Sequence, residues 1–347
     1  MYPTLQRALR HFKRARAFRS PLYQVIDVLR HWLLLNVSAT DYYHFHFYDP
    51  AIAWSDKPRY VCPRGSRYYP YQANPLQFTA TLSDKYLMKH LLRGFGLPTP
   101  AVIARLGQRS GVNHCAEFER VVRTLPEQFV IKANQGSGGR KLHFIAHRQG
   151  ELWCNGEHVS VQALWDILTP GLDSGYYIER CLSNTRWIQT ISPGCLNTYR
   201  VVTIRTPDGR YHAPFVQLRL GHGDSRVDNT ESGGIPVRIG SDGVSIRINS
   251  FTPVTHPDTD AGLLGLEVPN YTEIVALALR ASRCFHFLGT IGWDIADTPD
   301  GLTIIEGNTL WGPHPTPILT DELMHSLPRF DRFSRWNKQA MWPGMVR

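Results

Sequence analysis

Lys132, Asp294, Glu306 and Asn308 are residues whose types and settings invite chemistry. Lys132 sits inside the apolar run 129–133, where strand alternation would put Val130 and Lys132 on one face and Ile131 and Ala133 on the other. A lysine beside apolar side chains is costly unless an anion pairs with it, and a phosphate is such an anion. Gly136, Ser137, Gly138 and Gly139 follow directly, and backbone N–H groups in so small a loop can approach a phosphate closely. No Gly-Lys-Ser/Thr follows, so the loop is not a Walker A motif. GxGxxG is absent too, and a strand rather than a helix follows, which excludes a dinucleotide fingerprint. Far downstream, Asp294 stands between Trp293 and Ile295, and Glu306 follows Ile304 and Ile305. Glu306 and Asn308 are two apart and share a side of a strand. Two carboxylates and an amide oxygen suit Mg²⁺ held together with substrate phosphates.

The elements that must position these groups follow from turn and cap signals. The segment from Ser83 to Pro100 reads as a helix capped by Ser83 or Asp84 and stopped at Gly94 and Gly96. A short strand near 101–105 and a helix near 115–124 lead into the lysine strand, whose hairpin partner spans 141–147. Asn155-Gly156 predicts a second hairpin, 160–169 a helix, and 175–182 an apolar strand turning polar at its end. The remainder reads as mostly β. Strands meet at Pro207-Asp208-Gly209, a hairpin covers 237–248, a helix covers 271–287, and a last strand pair turns at Asp300-Gly301.

The first eighty residues read differently. Residues 5–19 are basic and amphipathic, a pattern shared by solvated helix faces and by contacts with acidic lipid headgroups or polyanions. Ser20-Pro21 caps a helix running to about Val37, with Leu22, Val25, Ile26, Leu29, Trp32 and Leu33 at helical spacing. In the stretch from Asp41 to Pro50, His44 and His46 would share one strand face with Asp41 and Asp49 nearby. Aromatic packing is favoured there over a metal site, because no third ligand stands at metal-site spacing. Residues 55–77 read as irregular.

The chain has 347 residues, 42% of them hydrophobic, and a net charge of +9, so a sizeable core is expected and an anionic partner is favoured. Its six cysteines are scattered without CxxC pairs, which fits reduced thiols in the cytoplasm. No signal-peptide pattern and no bilayer-length apolar run is visible.

Together the lysine hairpin FVIKANQGSGGRKL, the helix SDKYLMKHLLRGFGLPTP, the strand YYIERCL and the hairpin GWDIADTPDGLTIIEGNT resemble the ATP-grasp superfamily over about residues 83–315. Within it, LNTYRVVTIRT and the last hairpin are most similar to the sugar-transfer-associated, glutamate-ligase-like group. The resemblance implies an α+β fold in which two α+β subdomains clasp ATP: a central or lid subdomain over 81–182 and a C-terminal one over 183–347. An atypical N-terminal region, helical then irregular, would occupy 1–80. It further implies ATP held by Lys85, Lys132, the loop Gly136, Ser137, Gly138 and Gly139, and the hinge Glu179, Arg180, Cys181 and Leu182. Magnesium, two ions by the resemblance, would sit on Asp294, Glu306 and Asn308.

The implied reaction is carboxylate activation as an acyl phosphate for attack by an amine or other nucleophile. Lys132 and Arg200 would act on the reacting groups, and Arg219, Asn229, Gly233 and Gly234 would contact the acceptor. Two departures stand out. Ligases of the D-alanine–D-alanine type carry an arginine two residues before the first metal aspartate, where this chain has Gly292, so the oxyanion role would fall to Arg200 or Arg219. Asn184, Thr185 and Arg186 follow the hinge where relatives carry an acidic ribose contact. A phosphotransferase without ligation, or a non-enzymatic binder of polyanions or a membrane surface, would be the competing readings. The location expected is the cytoplasm, with peripheral contact at the inner membrane face through residues 5–19, and nucleic acid is not expected as a partner.

Overall fold

The computed structural model describes residues 12–62, 73–107, 111–136, 142–311 and 316–327; the expectations for residues 5–11 and for Ser137, Gly138 and Gly139 lie outside these. Two antiparallel sheets carry the chemistry. The first has six strands in the order β1-β6-β2-β3-β4-β5: β1 (Val102–Leu106), β2 (Gln128–Ala133), β3 (Leu142–Arg148), β4 (Glu151–Cys154), β5 (Glu157–Val159) and β6 (Tyr176–Arg180). The second has five strands in the order β11-β10-β7-β8-β9: β7 (Thr198–Arg205), β8 (Tyr211–Leu220), β9 (Ile235–Ile239), β10 (Thr290–Thr298) and β11 (Gly301–Asn308).

Alternation assigns the faces of the first sheet. Phe129, Ile131 and Ala133 of β2 and Tyr176 and Ile178 of β6 enter one core with Phe118, Leu164, Trp165 and Leu168. The last four come from the helices Cys115–Val122 and Val161–Leu168, each of which buries one stripe. Val130, Lys132, Tyr177 and Glu179 therefore emerge on the opposite face. At the far edge Cys154 pairs with Glu157 across Asn155 and Gly156, both at positive φ (53° and 93°), which is the backbone a two-residue hairpin loop demands.

The second sheet packs Tyr199, Val201, Ile291, Trp293 and Ile295 on the helix Tyr271–Cys284, and the Trp293 indole N–H donates to Ser282 Oγ at 2.8 Å. The helix Lys85–Gly94 joins this core through Met88 and Leu92, although it precedes the first sheet in the chain. Its cap is Asp84, whose Oδ1 accepts from Leu87 N at 2.8 Å. Asn74 ties the base of the sheet by donating to the carbonyls of Thr290 and Thr309 and accepting from Gly289 N and Thr290 N.

Two expectations need correction. The 237–248 hairpin is reduced to a turn after β9 with a single bridge between Ile239 and Ser245. Asp41 to Pro50 is no strand: it is the end of a helix, Ala39–His44, followed by turns. There Asp49 accepts from Ala51 N and Ser250 N, so it is spent on loop closure, and Tyr42, Phe45, Phe47, Tyr48 and Tyr60 build an aromatic core.

The helix expected after Ser20-Pro21 forms as α1 (Pro21–Leu35) with its Ser20 cap. Its buried face is the polar one, Gln24, Asp27 and His31, while Leu22, Val25, Ile26, Leu29, Trp32 and Leu33 are exposed. Among the described residues no helix is long and apolar enough to cross a membrane.

Candidate active site

A cleft opens between the two sheets, and the sequence-derived candidates meet in it. Lys85, Lys132, Gly136, Glu179, Arg180, Cys181, Leu182, Arg219, Asn229, Asp294 and Glu306 all line it. The lysine on the strand and the carboxylates near the C-terminus thus share one cavity.

Two cations approach from the first sheet's side for a local reason. Asn134, just past β2, accepts from Tyr86 N at 2.9 Å and donates to Asp84 Oδ2 at 2.8 Å. These bonds bind the end of the lysine strand to the first turn of the Lys85–Gly94 helix, so Lys132 and Lys85 are held as neighbours. Lys132 Nζ pairs with Glu179 Oε1, and Lys89 Nζ with Glu179 Oε2 at 2.9 Å. Burial pushes the Glu179 carboxyl up, but the two lysines outweigh it and hold it below its ordinary range. Burial lowers the affinity of Lys89 for its proton, against the pull of Glu179. Lys85 Nζ lies 3.1 Å from Glu306 Oε2, which raises the lysine's pKa.

The carboxylates come from the hairpin of β10 and β11. Asp294 faces Glu306 across the pair, and the register then slips so that Ile295 faces Ile304. The extra residue is Ile305, and this bulge lets Ile305 and Glu306 both face the cleft although they are adjacent in sequence. Burial alone would raise the Glu306 carboxyl, yet Lys85 and hydrogen bonds from its neighbours, Asn308 among them, hold it well below its ordinary range.

Asp294 is more heavily engaged. Arg200, opposite it on β7, donates from Nε at 2.5 Å and from Nη2 at 3.0 Å, and Arg219 Nη2 stands 2.9 Å away. Arg219 also donates to Thr198 Oγ1 at 2.6 Å and lies 3.5 Å from Asp228, whose Oδ2 accepts from Thr198 at 2.5 Å. Burial raises the Asp228 carboxyl in spite of Arg219.

Some expected residues stay off the cleft wall. Arg200 is turned onto Asp294 and also reaches the Trp311 carbonyl at 3.4 Å, so its fork is not open to an acceptor carboxylate. Gly233 and Gly234 shape the loop rather than line the cavity: a Cβ at Gly234 would lie 2.1 Å from the Asp228 carbonyl oxygen, and Gly233 has φ 99°. Asn184 and Thr185, which stand where relatives carry an acidic ribose contact, bond to Asn197 and Asp297 within the C-terminal sheet's frame. Asn308 Nδ2 donates to Glu306 Oε1 at 3.2 Å and to Asp294 Oδ2 at 3.4 Å, behind the wall.

Other lining residues were not anticipated. Thr198, Arg226 and Asp228 form the polar end, and Leu142, Phe144, Tyr177 and Leu196, beside the Val130 expected on the Lys132 face, form apolar walls near the hinge. Arg226 Nη2 donates to the Asn155 carbonyl at 2.6 Å, so a loop of the second sheet grips the β4–β5 turn of the first. Asp228 was within reach of sequence reasoning, since it adjoins Asn229 in the same glycine-bearing run.

Among the described residues no group of three or more His, Cys, Asp and Glu side chains could hold a metal by themselves. Asp294 and Glu306 still stand together as two charged oxygen donors, with the Asn308 amide turning its Nδ2 to both, and such a carboxylate pair fits a cation that keeps positions for phosphate oxygens. Arg200 and Arg219 supply the positive charge at Asp294 in this form.

A family model described as sugar-transfer associated ATP-grasp matches residues 64–331, well over half of the chain. Similar solved structures include biotin carboxylase from Campylobacter jejuni in an ATP-analogue complex, with TM-score 0.44 and 13% identity, covering 70% of this chain and 43% of that one. A D-alanine–D-alanine ligase from Coxiella burnetii gives 0.38 and 14%, covering 73% and 54%. Carboxyaminoimidazole ribonucleotide synthase from Aspergillus clavatus, complexed with ATP, gives 0.42 and 14%, covering 67% and 46%. The chain spans about half the length of these structures. No curated protein matches it.

Proposed function

We propose, for a chain that belongs to the sugar-transfer-associated ATP-grasp family and has the ATP-grasp fold, an ATP- and Mg²⁺-dependent ligase that activates a carboxylate as an acyl phosphate. The observation that carries this reading is the meeting of Lys85, Lys132, Asp294 and Glu306 in one cleft with the 179–182 hinge. In this reading the backbone of Arg180 to Leu182 holds the adenine edge, and Val130, Leu142, Tyr177 and Leu196 enclose the ring. Lys132 and Lys85 neutralise phosphate oxygens, since phosphoryl transfer depends on charge compensation and in-line placement more than on covalent help. Asp294, Glu306 and Asn308 would hold two Mg²⁺ ions, which offset charge on the phosphates. By the family resemblance, the loop 136–139 would cover the phosphate end and keep water from a labile intermediate.

A substrate carboxylate oxygen attacks the γ-phosphorus and ADP leaves; an amine or other nucleophile then adds to the acyl carbon and inorganic phosphate leaves. Arg219 and Arg226, with Thr198 and Asn229, are the groups nearest the acceptor end. Arg200 becomes a positioning residue that orients Asp294 and balances its charge. Residues 81–182 and 183–347 act as the two halves of the clasp, working in the cytoplasm where ATP is abundant.

The test is ADP release with Mg²⁺ and ATP across a panel of acids and amines, with hydroxylamine as a trap. A hydroxamate in the presence of the correct acid reports an acyl phosphate. ADP formation with a phosphorylated product and no hydroxamate would instead establish simple phosphotransfer.

A further inference from the structure

The N-terminal helix α1 is built inside out. Its polar face is held by partners outside the helix: Tyr42 Oη donates to Asp27 Oδ2 at 2.9 Å, Tyr43 Oη donates to Gln24 Oε1 at 3.0 Å, and the His31 ring packs on Tyr42 and Phe47. Turning the helix over would strip these buried groups of their partners. Its apolar side is therefore committed outward, with Leu22, Val25, Ile26, Leu29, Leu33 and Leu34 each 51–71% exposed. A helix of 15 residues presents this stripe over about 22 Å, well beyond scattered surface leucines.

Charge identifies the occupant. No acidic residue precedes Asp27, and the next two are Asp41 and Asp49. All three are buried, at 6%, 2% and 1% exposure. The exposed charges immediately before and on the helix are basic: Lys13, Arg14 and Arg16 before it, and Arg30 on it, stacked 3.9 Å over the Trp54 ring; Asp56, further along the chain, is partly exposed and lies 3.8 Å from Arg59. Apolar side chains flanked by cations alone match the interface of an anionic bilayer, where acyl chains receive the stripe and headgroups receive the charge. A second copy would set like charge against like charge, and a polyanion would leave the leucines in water.

We infer that residues 13–34 form a peripheral membrane-binding surface for anionic lipid, with α1 lying in the plane of the interface. The inference does not depend on the ligase reading, since none of residues 12–62 lines the cleft.

Flotation of the full-length protein with phosphatidylcholine vesicles, with and without phosphatidylglycerol, tests it. The wild type is expected to float with anionic vesicles at least tenfold more than with neutral ones. The double variant Ile26→Asp/Leu29→Asp should lose that binding at unchanged melting temperature. Lys13→Gln/Arg16→Gln should weaken it and leave the remaining binding less sensitive to salt. Brominated acyl chains should quench a fluorescence component that Trp32→Phe removes, a readout that remains should the aspartate variant fold poorly. Equal flotation of wild type and the aspartate variant would overturn the proposal. So would a wild-type dimer that the aspartate variant converts to monomer without any lipid binding. ATP turnover, measured on the same preparations, is expected to be unchanged by the aspartate pair.

Discussion

Glu179 shows how one side chain joins structure to chemistry. It is buried between Lys132 and Lys89, so replacing Lys132 does more than remove a phosphate contact. Lys132→Ala should abolish ATP turnover but also cost stability, because Glu179 loses a counter-ion. Glu306→Gln is the cleaner variant: Glu306 is partly open to the cleft, and its loss should lower turnover by about a hundredfold or more with the melting curve little changed. Steady-state ADP release and thermal melts check both, and retained turnover in both variants would sink the site assignment. Glu179→Gln should destabilise the fold by about 3 kcal/mol, since buried Lys89 would lose its counter-ion and keep only the Thr99 hydroxyl and the Ile305 carbonyl. The folded-state carboxyl titrates below its ordinary value of 4.5, so its stabilisation is complete above that pH and drains away as pH falls below it. Wild-type stability should therefore fall more steeply than that of Glu179→Gln as solutions are acidified below about pH 4.5, measured by denaturant midpoints.

At the level of elements, the β10–β11 hairpin is the part that places charge. Its bulge at Ile305 turns Glu306 into the cleft, and Gly292 allows Trp311 and Arg200 to pack against β10. A Cβ at Gly292 would lie 2.4 Å from Trp311 Cβ and 3.3 Å from Arg200 Cδ. Gly292→Ala should cost about 1–3 kcal/mol by overpacking and reduce turnover by displacing Arg200 from Asp294. A melting shift with full activity would show that the Arg200–Asp294 pair does not set the site. The hairpin's strands and its Asp300-Gly301 turn were legible from the sequence, as were β2, the 155–156 turn and the Asp84 cap. The bulge was not, because the doubled Ile304-Ile305 that interrupts the alternation reads equally as a strand buried on both faces, and only pairing with β10 fixes the register.

Across the whole molecule, the N-terminal region is a satellite of the second sheet's side. Ala15 is fully buried, Arg14 stacks 4.0 Å over Phe251, and Phe18 packs on Tyr48 and Phe251. Deleting residues 1–19 should thus lower the melting temperature by uncovering this aromatic core. ATP affinity, read by calorimetry, should hold, since the described N-terminal residues stay away from the cleft. A loss of affinity at unchanged stability would place that region in the site.

Local chemistry was decided by sequence alone: where strands alternate, where Asn-Gly and Asp-Gly turn the chain, and which lysines and carboxylates have costs that demand partners. Periodicity reveals which residues share a face but not which way that face points. For α1 the choice fell to Tyr42 and Tyr43, hydroxyls from another helix that claim its polar side. For Asp294 it fell to Arg200 and Arg219 on neighbouring strands, which take up the carboxylate and leave Arg200 no acceptor to hold. Partners far apart in the chain are chosen by packing, and only the tertiary structure makes that choice.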